Sequence, residues 1–69
     1  MKITVQFVPE RNESADVEVK DDAICLDILD RLNLSPDAHI VTRNGAPIPI
    51  DERLKDGENI EIIKVVSGG

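Results

Sequence analysis

The side chains able to do chemistry in this 69-residue chain are few and far apart. One histidine, His39, and one cysteine, Cys25, stand fourteen residues apart. A general base needs an oriented partner and a nucleophile beside it, and a metal site needs clustered His, Cys or carboxylate ligands. Neither pattern is present, so His39 reads as an ordinary surface residue. Cys25 falls inside an apolar periodic stretch, where a free thiol packs as a small hydrophobe. The acidic pairs Asp21-Asp22 and Asp51-Glu52 stand at element boundaries, where caps and solvated turns account for them, and neither has calcium-loop spacing. The remaining chemistry is at the other end, "IEIIKVVSGG", where an apolar strand closes on Ser67-Gly68-Gly69. Glycine has no Cβ, so such a tail can pass through a slot too narrow for side chains and deliver its carboxylate to a buried site on another protein. A terminal Gly-Gly says little in isolation, because chain ends tolerate many residues. Its meaning depends on what positions it.

The elements are legible from periodicity. Lys2 to Val8 alternates, with Ile3, Val5 and Phe7 on one side, and Val17 and Val19 alternate with Asp16, Glu18 and Lys20 after a polar turn over Pro9 to Ser14. These read as two strands of a hairpin. Between Asp22 and Leu34 the period becomes helical: Ile24, Cys25, Ile28, Leu29 and Leu32 fall in one arc, with Asp21 and Asp22 as candidate cap and dipole partners. Asn33 is placed to end the helix in a left-handed conformation, and Ser35-Pro36 prevents its resumption. His39 to Arg43 is a third strand, and Asn44-Gly45 predicts a type I′ turn. The returning "APIPI" reads as a short edge strand whose missing donors, at Pro47 and Pro49, lie on one side. Asp56-Gly57 turns the chain into a last strand, Asn59 to Val66. In that strand Ile60 and Ile62 share a face, and Ile63 and Val65 take the opposite one. If the first pair packs under the helix, the second forms a docking patch.

The predicted fold class is α+β, a mixed sheet of four to five strands with one main helix on one face. Residues 1–66 read as a single domain and 67–69 as a flexible tail. Fourteen acidic against eight basic side chains give a net charge of −6, and there is one phenylalanine with no Trp or Tyr. That excludes direct nucleic-acid binding on electrostatic and stacking grounds. No apolar run reaches membrane-spanning length and "MKITVQFVPER" lacks a signal-peptide core, so the expected location is cytoplasmic. With one edge blunted, a monomer is expected.

With the elements in this order, the chain resembles the ubiquitin-like β-grasp proteins, in particular the sulfur carriers of the ThiS/MoaD type and the small archaeal modifier proteins. The resemblance covers essentially the whole chain and is carried by "LDILDRLNLSPDAHIVTRNGAPIPIDERLKDGENIEIIKVVSGG". It implies a protein substrate rather than an enzyme. The Gly69 carboxylate would be adenylated by a ThiF/MoeB-like enzyme using ATP and Mg, with Gly68 giving passage and Ile63, Val65, Val66 and Ser67 touching the partner. Attack by persulfide sulfur would lead to a thiocarboxylate for tRNA thiolation or cofactor biosynthesis, handed to a sulfur acceptor enzyme. Attack by an amine would leave an isopeptide bond to a target protein. Lys2, Lys20, Lys55 and Lys64 are the amines available for further copies. Compared with thiamine-type carriers the first hairpin is longer, and molybdopterin-type carriers are more elaborated, so the similarity is greatest to the archaeal modifiers and tRNA-thiolation carriers. A threonine is common in the family where Ile24 stands, which leaves the helix cap to the preceding aspartates or weaker. The competing expectation is a β-grasp binding module that is never activated and works through the Ile63/Val65 face or a strand edge.

Overall fold

The computed structural model describes residues 1–8 and 13–65. The elements are β1 (Lys2–Val8), β2 (Ser14–Glu18), α1 (Cys25–Arg31), β3 (His39–Arg43), β4 (Ala46–Ile48) and β5 (Asn59–Lys64). The five strands form one mixed sheet in the order β2-β1-β5-β3-β4, with β1 and β5 parallel and the other neighbours antiparallel. The alternating residues Ile3, Val5, Val17, Val41, Ile60 and Ile62 are buried with Cys25, Ile28 and Leu29 of α1 and Leu54, so the core lies between one sheet face and the helix.

Two local predictions are met in detail. Asn44 and Gly45 take φ of 54° and 80°, both in the left-handed region that a type I′ turn requires. Asn33, at φ 58°, ends the helix in a Schellman motif. The Leu34 amide donates to the Leu29 carbonyl at 2.8 Å and the Asn33 amide to that of Asp30 at 3.1 Å, while Leu34 packs back on the core. Replacing Asn33 by Ala is expected to cost about 1 kcal/mol, because a Cβ without a local hydrogen-bonding side chain is penalised in this conformation. Asn33→Gly should cost nothing; urea midpoints of the two variants check the pair.

The start of the helix corrects the sequence reading. Ile24 is the N-cap, outside the helix, and Asp21 and Asp22 do not cap it. The Asp27 carboxylate reaches back to accept the Ile24 amide at 2.8 Å, half of a capping box, since isoleucine offers no acceptor in return. The first helical amides are satisfied from far along the chain: Cys25 donates to the Glu52 carbonyl at 3.0 Å and Leu26 to that of Ile50 at 2.9 Å. Leu54 donates to the Ala23 carbonyl at 3.1 Å, and Ile24 and Arg53 form an antiparallel bridge. The segment 50–54 thus does what an N-terminal Ser or Thr does elsewhere.

Two strands are shorter than predicted. β5 ends at Lys64 rather than Val66, and Val65 leaves the ladder while its amide still donates to the Ala38 carbonyl at 2.8 Å. β4 ends at Ile48, before Pro49, whose carbonyl accepts the Glu52 amide in a turn. β4 is the sheet edge, as expected. The two-residue turn makes Arg43 and Ala46 the closing hydrogen-bonded pair, so the next pair, Thr42 and Pro47, is non-bonded and the Pro47 nitrogen faces outward.

Candidate functional site

The outer sheet face, away from α1, carries the candidate docking surface. Ile63 on β5 lies opposite Val8 on β1 and Ile40 on β3, so three aliphatic side chains form a row across the three central strands. Ile40 is 41% exposed and Val65, just past β5, is 39% exposed. Ile60 and Ile62 are buried under the helix while Val65 is exposed and Ile63 half-buried, so the predicted division between the Ile60/Ile62 pair and the Ile63/Val65 pair holds. The next row along the same face is polar, with the Thr42 hydroxyl donating to a Glu61 carboxylate oxygen at 3.2 Å. The apolar row therefore sits at the end of β5 nearest residue 66. Val8 and Ile40 were not singled out from sequence; alternation places each on the outer face, but only the strand order makes them neighbours of Ile63.

Val66, Ser67, Gly68 and Gly69 lie outside the described residues, as do residues 9–12 of the turn predicted over Pro9 to Ser14; its last residue, Ser14, instead opens β2, because the pairing with β1 extends to Gln6. Of the candidate acceptor amines, Lys2 has its Nζ 3.9 Å from Asp16, and Lys20, Lys55 and Lys64 are exposed. They are spread over different parts of the surface rather than gathered at one site.

His39 is half-buried, and its Nδ1 is 2.8 Å from the Ser35 carbonyl. A carbonyl only accepts, so Nδ1 carries the proton. The ring also borders a cavity of about 220 Å³ lined by Phe7, Val8, Leu34, Ile62 and Lys64. Among the described residues no group of three or more His, Cys, Asp or Glu side chains gathers as a metal site, and no helix is long and apolar enough to cross a membrane.

Cys25 is fully buried. Burial pushes its thiol up to about 11; Glu52 and Glu58 add to the rise and Arg43 opposes it. A thiol with its folded value above the usual 9.0 favours folding below pH 9, and that contribution is lost as pH rises toward 11. The full effect is about 3 kcal/mol. The stability difference between the wild type and Cys25→Ala in urea should therefore shrink by about 1–3 kcal/mol between pH 8 and pH 11. Iodoacetamide should label Cys25 at pH 8 only as fast as the domain opens.

Glu52, read from sequence as part of a solvated turn, belongs to a charged network. The Arg43 guanidinium donates from Nη1 to Glu52 at 2.8 Å, from Nη2 to the Arg53 carbonyl at 2.9 Å, and from Nε to Glu58. These hydrogen bonds, Glu58 first, raise the arginine further above its ordinary range. The network ties β3 to the segment that caps the helix and to the start of β5. It is a structural clamp rather than a reactive group.

A five-stranded mixed sheet with this strand order, one helix on its inner face and an apolar row at the exit of β5 defines the ubiquitin-like β-grasp class. SAMP1 of Haloferax volcanii superposes with a TM-score of 0.74 at 22% identity, covering all of both chains. A Caldiarchaeum subterraneum ubiquitin gives 0.75 at 22% identity over 100% of this chain and 98% of that one. The sequence narrows the class: residues 1–66 match the family model of small archaeal modifier protein 2, and the chain belongs to that family. Relatives aligned over the full length of both chains include small archaeal modifier protein 2 of Haloferax volcanii at 30% identity, an uncharacterized protein of Archaeoglobus fulgidus at 30%, and the sulfur carrier protein TtuB of Thermus thermophilus at 27%.

Proposed function

We propose that this protein is an activated carrier whose Gly69 carboxylate is adenylated by a ThiF/MoeB-like enzyme and then used for sulfur transfer, protein modification or both. The observation that carries the reading is the full-length similarity to one relative named a modifier and another named a sulfur carrier. A carboxylate is a poor electrophile. Its attack on the α-phosphate of ATP, held with Mg by the activating enzyme, expels pyrophosphate and leaves an acyl-adenylate. A persulfide sulfur then displaces AMP to form an acyl disulfide, and a second thiol cleaves the S–S bond to release the thiocarboxylate. A lysine amine instead displaces AMP, directly or through a thioester, and loses a proton to give the isopeptide. Residues 67–69 serve as the tail and residues 1–66 as the domain that presents it.

The row Val8, Ile63, Ile40 with Val65 supports the accompanying reading that the activating enzyme docks on the outer face beside the tail. Intact mass and tryptic analysis of the tagged protein purified from its native host test the proposal. Lys64 is the last tryptic site, so a modified target carries "VVSGG" on a lysine. One oxygen-to-sulfur exchange on the free protein marks the carrier. If neither appears under sulfur-limited or stress growth, the module that is never activated is the better reading.

A further inference from the structure

The two edges of the sheet are built differently. On β4 the outward-facing nitrogen is Pro47, which has no hydrogen to give, and Pro49 follows just beyond the strand. β2 carries no such block. The Phe7 amide donates to the Glu13 carbonyl, and Met1 and Val19 exchange bonds at 2.6 and 2.9 Å. In this antiparallel register Ala15 and Val17 are then the residues bonded to β1. Ser14, Asp16 and Glu18 therefore direct their N–H and C=O groups away from the sheet, and among the described residues no strand covers that edge. Three such residues in succession are a ready template for another strand.

Charge selects the occupant. The Asp16 and Glu18 side chains stand on the outer face, largely exposed; one Asp16 oxygen accepts from the Thr4 hydroxyl at 2.9 Å, and the cations beside the pair, Lys2 and the N-terminal ammonium, come no nearer than 3.9 Å. On the helix side, an open groove of about 390 Å³ between the end of β2 and α1 is lined by Glu18, Val19, Asp27 and Asp30, with Lys20 and Arg31. A second copy of this chain paired antiparallel about Asp16 would set that carboxylate against its own twin, and like charges directly opposite are destabilising. We infer that the free edge of β2 takes up an extended segment of a partner protein in which basic residues alternate with aliphatic ones. The basic side chains lie over Asp16 and Glu18, and the aliphatic ones lie toward Val17 and Val19. This docking is non-covalent and independent of Gly69.

A short acetylated, amidated peptide alternating lysine and valine is the probe, titrated into the 15N-labelled full chain. The expected result is saturable binding in which the Ser14, Asp16 and Glu18 amides gain exchange protection, while Ala15 and Val17, already bonded, do not change. Asp16→Pro removes one outward donor and, with it, the carboxylate and its bond from Thr4, while the backbone ladder to β1 keeps its bonds, and it should weaken binding at least about tenfold, as should high salt. If that variant fails to fold, the same peptide N-methylated along one edge must lose binding to the wild type. The inference is overturned by no saturable binding, by shifts that do not alternate or that centre on Ile40 and Ile63, or by undiminished binding of the N-methylated peptide. It is also overturned by protection that rises with protein concentration in the absence of peptide, the signature of a second copy.

Discussion

Deletion of Gly69 is expected to abolish both the sulfur-exchanged form and the isopeptide adducts while leaving the urea midpoint unchanged. Among the described residues the buried core runs from Ile3 to Ile62, and a glycine brings no side chain to a core, so the midpoint is expected to hold. The chemistry does. Removing one residue draws the carboxylate back by about 3.5 Å. A misplacement of about 1 Å at a reacting centre can cost about a hundredfold in rate, so loss below detection is the expected outcome. Ile63→Asp provides the contrast. It leaves the tail intact but sets a charge in the middle of the apolar row, and should weaken association with the activating enzyme about tenfold or more. Adducts that persist after Gly69 is removed, together with binding that fails only in Ile63→Asp, would replace the activated carrier by a binding module.

At neutral pH, where the Cys25 thiol stays protonated, the largest expected loss of stability comes from Arg43. Its side chain is 25% exposed, and those of its partners Glu58 and Glu52 are 12% and 37% exposed. Arg43→Ala leaves Glu58 without its cation in a site with little water, although the Lys55 amide still donates to it at 2.9 Å. Truncating one member of a charged, hydrogen-bonded network that is only partly buried should cost about 2 kcal/mol. A domain of this length is stable by about 3–10 kcal/mol, so the loss is a large share of the total. Combining Arg43→Met with Glu52→Gln and Glu58→Gln should recover at least half, because no unpaired charge remains. A loss under about 0.5 kcal/mol for Arg43→Ala, or no rescue, would show that water screens the network and that packing alone holds these segments together.

The division between what was legible and what was not follows the distance over which each feature is held. β1 and β3 have the predicted bounds, and the turn at Asn44-Gly45 and the helix stop at Asn33 have the predicted backbone, because alternation and positive φ are properties of a few consecutive residues. The burial of Cys25, Ile28 and Leu29 on one helical arc and of Ile60 and Ile62 on one strand face was legible for the same reason. So was the family likeness, which rests on the order of such local elements.

The helix start was misread because its amides are satisfied by carbonyls from Ile50 and Glu52, some twenty-five residues away, and no local signal announces a cap of that kind. The same holds for Arg43, whose three partners lie nine to fifteen residues along the chain and meet only when β3, β5 and the capping segment close together. The outer apolar row joins Val8, Ile40 and Ile63, and the contrast between the open β2 edge and the Pro47 edge depends on which strands end up outermost. A linear pattern specifies which face each residue takes, but neighbours across strands are chosen by the parallel pairing of β1 with β5, a contact between chain segments more than fifty residues apart.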